Sequence, residues 1–320
     1  FETVTLKPYG KTSGVLEASA IKPLDNHKIS AATNSLQKKW NNTCKQCTGC
    51  GCYEFPGFQC DPSFNFTGNF ICHDSSITGC GLGHQLNAIA ALWAKYGDQF
   101  RLVDQIIGGD HPEYLGLSWS AFMNTGDLLI PRDETMFTKC SNTTSGYDNF
   151  VNALEELYKK GYTQNIMLPF LESHPIHCPT MPPVPSQGVA VKIRSGDHRN
   201  PTEDAQKINK YCEALKTKFN ITNHTQILVM TDGPELNCSE WYNVTYIEEL
   251  ETPNMYKNSA QRLLCNLRYI AHYPGQISAT GSNLQQFIWA EMLKIGSTVE
   301  VYNPHFKIFI KPDEGSSRGA

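Results

Sequence analysis

The sequence predicts an α/β fold with a mostly parallel sheet covered on both faces. Three observations carry this expectation. From Gly188 onward, short apolar runs alternate with segments of helical period, the pattern of strands crossing over through helices. Three of the expected strands stop in polar turns, Arg194-Ser-Gly-Asp197, Thr231-Asp232-Gly233 and Gly281-Ser282-Asn283, and in a parallel sheet such turns open on one edge. The chain has 320 residues, 40% of them hydrophobic and 18% charged, which suits a large globular core and a default of two domains.

The second half is taken first. Val189 to Ile193 reads as a buried strand. A helix follows over about 203–218, with Ala205, Ile208, Cys212, Leu215 and Phe219 along one face. Gln226 to Met230 is a strand that runs into Thr231-Asp232-Gly233. Asn243 to Ile247 is a further strand, and a helix at about 259–272 groups Leu263, Leu264, Leu267 and Ile270. Gln276 to Ala279 is a short strand, after which Gly281-Ser282-Asn283 opens a helix with Leu284, Phe287, Ile288 and Met292. Thr298 to Tyr302 is the last expected strand.

In the first half, Gly79-Cys-Gly81-Leu-Gly83-His84-Gln85-Leu86 opens a helical pattern through Ile89, Ala90 and Trp93, with no clear strand before it. A glycine-rich turn at a helix N-terminus leaves free backbone N–H groups, which suit an anion or a sugar hydroxyl. Phe100 to Asp104 is a short strand ending in a carboxylate. A helix around Phe150 to Tyr158 ends at Gly161, and Ile166 to Phe170 is expected as a strand. Leu171 to Gly188 holds five prolines and is read as a linker at a domain boundary, which Cys178 would pin by a disulfide.

Residues 1–75 lack long periodic segments and hold six of the twelve cysteines. Cys44, Cys47, Cys50 and Cys52 lie too close together for paired zinc-knuckle units, so disulfides are the better reading. Seven Asn-X-Ser/Thr sequons, at Asn41, Asn65, Asn142, Asn220, Asn223, Asn237 and Asn243, accompany the cysteines. Together they predict a glycosylated, oxidised protein of the secretory pathway. The net charge of −4, without basic runs or interleaved aromatics, argues against nucleic-acid binding. No run of 18 apolar residues is present, so no membrane contact is expected of the chain as it stands. A type II anchor upstream of Phe1 is expected to have been removed, and the closing Glu314 to Ala320 resembles a cleavage scar.

The chemistry concentrates at the three turns. Lys192, Arg194, His198 and Arg199 crowd the end of the strand 189–193 with cationic or potentially cationic groups; Asp232 supplies a carboxylate; Ser282 and Asn283 supply hydroxyl, amide and N–H groups. This inventory suits a sugar nucleotide: a cation for the pyrophosphate, a carboxylate for base or ribose, and N–H donors for further phosphate oxygens.

Five segments in this order resemble the GDP-fucose-dependent fucosyltransferases, meaning the α1,2- and α1,6-fucosyltransferases and the protein O-fucosyltransferases with a His-x-Arg-x-Gly-Asp type motif. They are Gly81-Leu-Gly83-His84-Gln85, Phe100 to Asp104, Lys192-Ile-Arg194-Ser-Gly196-Asp197, Thr231-Asp232-Gly233, and Ser278 to Trp289. The resemblance spans about residues 76–302. The chain departs from the family pattern at Lys192 (for His), Ser195 (for Arg), Gly233 (for Asp) and His84 (for Asn).

The resemblance implies a GT-B architecture: two Rossmann-like domains facing a cleft, 76–187 on the acceptor side with the Pro-rich linker and 188–315 for the nucleotide sugar, after a Cys-rich N-terminal extension over 1–75. It implies metal-independent, inverting transfer of L-fucose from GDP-fucose to a glycan or protein hydroxyl, in the Golgi lumen or as a secreted protein. Arg194 is then the catalytic residue, gripping the leaving pyrophosphate bidentately. Gly83, His84, Gln85, Lys192, Asp197, Asp232, Ser282 and Asn283 join it in binding the donor. Asp104 and Glu113 are the candidate general bases for the acceptor hydroxyl. Two alternatives stand beside this: a transferase of the same fold using another nucleotide sugar, and a secreted carbohydrate-binding or receptor-like module without catalysis.

Overall fold

The computed structural model describes residues 68–73, 81–104, 117–131, 139–143, 153, 155–159, 161–194, 201–219, 221–222, 224–233, 235–238, 243–278 and 283–312. The cysteines from Cys44 to Cys60, Cys80, Glu113, Asp197, His198, Arg199 and Ser282 lie outside them. The described chain is mixed α/β, with two sheets, one in each half.

The first half is built from β1 (Phe70–His73), α1 (Leu82–Tyr96), β2 (Phe100–Val103), β3 (Leu129–Ile130), β4 (Cys140–Thr143) and α2 (Leu168–Ser173). Its four strands are all parallel, in the order β3-β2-β1-β4. β1 has no counterpart in the sequence reading. It is only four residues long, too short to show a period, and it lies among cysteines. A disulfide from Cys72 of β1 to Cys140 of β4 ties this outer pair together.

Ile166 to Phe170 is a helix rather than the expected strand. A π-turn over Thr163–Met167 runs directly into α2, and Thr163, Met167, Phe170 and Leu171 are buried. Those positions are spaced i, i+4, i+7 and i+8, one face of a helix. The short apolar run hid this period, and Pro169 lies just after the π-turn, in the first turn of α2. Of the helix expected around Phe150 to Tyr158, the described residues Ala153 and Glu155 are helical and run into a 3-10 turn at Glu156–Tyr158, followed by Gly161 at φ +84°.

The second half follows the predicted alternation: β5 (Gly188–Ile193), α3 (Pro201–Lys218), β6 (Gln226–Thr231), β7 (Val244–Tyr246), α4 (Ser259–Ala271), β8 (Gly275–Ser278), α5 (Gln285–Lys294) and β9 (Val301–Asn303). A further strand, β10 (Ile308–Ile310), adds antiparallel to β9. The sheet order is β10-β9-β8-β5-β6-β7, with β5 to β9 parallel. Pleating sends Val189, Val191 and Ile193 to one face, where they meet Ile208, Tyr211 and Leu215 of α3. Ala190 goes to the other face, against Tyr269 and Ile270 of α4.

One core crosses both halves. Leu86 and Ile89 of α1, Trp119, Phe122, Phe170, Leu264 and Leu267 of α4, and Phe287 and Trp289 of α5 belong to it. α5 is buried on every side, so it is the element around which the halves pack. The Pro-rich segment is fastened to α4: Cys178 is bonded to Cys265, Gln261 Nε2 donates to the His177 carbonyl at 2.5 Å, and Arg268 donates to the Ile176 carbonyl at 3.3 Å. With Cys212–Cys238 this makes three disulfides among the described residues, compatible with an extracellular or secretory-pathway protein. Among the described residues, no helix is long and apolar enough to cross a membrane.

Candidate functional site

The strand order places the site. β5 is central; the chain moves outward through β6 and β7, then returns to lay β8 on the other side of β5. The topological switch point therefore lies between β5 and β8, and in open α/β sheets ligands bind outside the carboxyl ends of the strands at such a point. Lys192 and Ser278 are register partners across this junction, and Lys192 is paired with Met230 on the β6 side.

Lys192 is the unusual residue. It is 7% exposed, and its Nζ has no hydrogen-bond partner among the described residues. Burial lowers its pKa to about 8 from an ordinary 10.5; the Arg194 charge pushes the same way, and Asp232 opposes both. Lys192 thus feels both neighbouring charges. A buried, unpaired ammonium is costly unless something anionic compensates it. Arg194 follows directly at the end of β5 and is exposed. Asp232 is half-buried, in a turn closed by the Gly233 N–H donating to Thr231 Oγ1 at 2.9 Å.

The structure also joins two predicted segments that lie far apart in sequence. Asn283 Nδ2 lies 2.6 Å from Nε2 and 2.8 Å from Nδ1 of His84. Asn87 Nδ2 donates to the carbonyls of Gly83 and Asn283, both at 2.7 Å. Gly83 is needed for this approach: a Cβ there would stand 2.9 Å from Leu284 Cγ and 3.1 Å from the Leu284 backbone nitrogen. The first turn of α1 therefore rests on the turn that precedes α5. Leu284 is the N-cap of α5 and makes no side-chain cap hydrogen bond, while the Asn283 side chain reaches to His84.

The remaining predicted residues divide. Gln85 is 1% exposed, inside the core side of α1. Asp104 is occupied: its carboxylate accepts from Ser118 Oγ at 2.7 Å, Ser120 Oγ at 2.7 Å and the Ser120 N–H at 3.2 Å. It therefore holds the short 3-10 turn at Trp119–Ala121 in place. Three further residues stand beside the predicted set: Asn87, which the sequence did not single out, and Ser278 and Gln285, which lie in the segment Ser278 to Trp289 but were given no site role. Ser278, 4% exposed, donates to Gln285 Oε1 at 3.0 Å, while Gln285 Nε2 has no partner among the described residues. Gln285 and Asn87 read as ordinary polar positions of amphipathic helices, and only their burial marks them.

No protein-family model matches the chain, and a search of curated proteins gives no match.

Proposed function

We propose that the chain is an inverting glycosyltransferase of GT-B architecture that transfers L-fucose from GDP-fucose to a glycan or protein hydroxyl in the secretory pathway. The observation that supports it is the buried ammonium of Lys192, without a hydrogen-bond partner among the described residues, at the switch point beside Arg194 and Asp232. A nucleoside diphosphate is the natural counter-charge for that group. The ordered resemblance of five segments narrows the donor to GDP-fucose.

In this reading, cleavage of the bond between fucose and GDP leaves an oxocarbenium-like sugar and a pyrophosphate that gains charge. Arg194 grips the leaving oxygens bidentately, and Lys192 adds a point charge two residues earlier on the same face of β5. Both interactions strengthen as the bond breaks, so they lower the barrier more than they tighten ground-state binding. Asp232 faces the nucleoside. His84 and Asn283 line the side where the two halves meet, and the acceptor hydroxyl attacks from there. Asp104 is not the base in this scheme, because three donors already hold its carboxylate.

A thermal-shift comparison of GDP, UDP and ADP tests this. Stabilisation by GDP that disappears in Arg194→Ala is the expected result, and no response to any nucleotide sinks the proposal. Turnover of GDP-fucose against GDP-mannose then separates a fucosyltransferase from a relative using another sugar.

A further inference from the structure

Two buried nitrogens at the switch point, Lys192 Nζ and Gln285 Nε2, have no hydrogen-bond partner among the described residues. Lys192 is 7% exposed and Gln285 1%. Both groups can only donate: neither an ammonium nor an amide nitrogen accepts a hydrogen bond.

Ser278 brings them together. Ala190 meets Tyr269 and Ile270 of α4, and pleating returns Lys192 to that same face of the sheet. Ser278 is the register partner of Lys192 on β8, so its side chain stands on this face one strand spacing away, about 5 Å. Its Oγ donates to Gln285 Oε1 at 3.0 Å, which lays the first turn of α5 over the ends of β8 and β5. That bond holds the oxygen of the amide on Ser278 and turns Nε2 away from it.

The electrostatic balance here is positive. The N-terminus of α5 is the positive pole of a ten-residue helix with no acidic residue in its first turn. The Arg194 charge outweighs that of Asp232 in its effect on Lys192. Asn283, the amide that the sequence nominates for phosphate, is turned to His84 instead. Arg194 is exposed and lies two residues beyond Lys192, about 7 Å further along the chain. A ligand gripped by both cations therefore needs more than one phosphate.

We propose that Gln285 is a further binding residue for the diphosphate of the sugar donor: its amide nitrogen donates to a phosphate oxygen beside Lys192, and Ser278 is the positioning residue that aims it. The proposal rests on the transferase reading for the nucleoside, but not for the diphosphate.

Calorimetric titration of the full chain with inorganic pyrophosphate and with GDP tests it, with melting of each ligand-free variant to show that it folds. Gln285→Met keeps the volume of the side chain and removes its donor; it should weaken both ligands about tenfold or more. Ser278→Ala should weaken both as well, Ser278→Thr should restore them, and Ser278→Ala should add no further loss in the Gln285→Met background. A folded Gln285→Met chain that binds pyrophosphate like the parent overturns the proposal, and so do additive losses in the double variant. Should Gln285→Met not fold, equal binding by Ser278→Ala and Ser278→Thr overturns it. A parent that binds pyrophosphate as tightly as GDP sinks the nucleotide reading alone, since the pyrophosphate comparison still decides the role of Gln285. A parent that binds neither ligand overturns both.

Discussion

The side-chain amide of Asn283 meets the imidazole of His84 at 2.6 Å, across 199 positions of sequence. The contact joins the turn after β8 to the first turn of α1, so it couples the two halves where two of the predicted donor-binding segments meet. His84→Ala and Asn283→Ala should each destabilise by about 1 kcal/mol, with a coupling of roughly 0.5–1.5 kcal/mol in the double-mutant cycle. Urea unfolding of the four proteins measures this, and strictly additive losses would show that the pair does not act as a unit.

Gly83 makes that contact possible. In Gly83→Ala the new methyl would stand 3.1 Å from the Leu284 backbone nitrogen and 3.3 Å from the Asn283 carbonyl carbon, so α1 and the facing turn must part. A loss of about 1–3 kcal/mol is expected, as for overpacking in a core. Thermal unfolding with and without GDP checks both the stability loss and a weakened nucleotide response.

Lys192 carries the pH prediction. Burial holds its folded-state pKa near 8, below its ordinary 10.5. Between those values the unfolded chain binds the proton more tightly, so this residue makes the free protein more stable as pH rises from about 8 to 10.5. An anionic ligand favours the protonated form, so GDP affinity should fall as pH rises through about 8. Lys192→Met should abolish that inflection and weaken GDP binding, yet stabilise the free protein by roughly 1–3 kcal/mol, because an unpaired buried charge is gone. Calorimetric titration across this pH range, with melting of the free variant, decides it; an unchanged profile removes Lys192 from the site.

The Cys178–Cys265 bond closes a separation of 87 residues and clamps the Pro-rich segment to α4. The Cys178→Ser, Cys265→Ser double variant should lose about 2–4 kcal/mol. Comparing its denaturation midpoint with that of the oxidised parent gives the value.

Much of the second half was legible because its strands are buried on both faces and its helices carry clean apolar stripes, as in Val189 to Ile193 and Leu263 to Ile270. Not every short element was. β1 and β10 hold too few residues to show a period, and the run Ile166 to Phe170 carries an apolar content that fits strand or helix equally well. The charged part of the site was visible at Lys192, Arg194 and Asp232, since cations and a carboxylate at strand ends stand out in sequence. Asn87 did not stand out, and Ser278 and Gln285, though inside a quoted segment, had no role assigned, because an amide or hydroxyl gains meaning only when burial deprives it of water.

The residues alone therefore determined the α/β class, the alternation from Gly188 to Tyr302, the oxidised character and the turns that carry charge. All of these follow from local period and composition. Tertiary structure decided the rest: β8 returning beside β5 to make a switch point, Lys192 buried without a hydrogen-bond partner among the described residues, and Asn283 turned to His84 rather than capping α5. These depend on strand order and on which surfaces lose water, and both are fixed only when segments distant in sequence pack together.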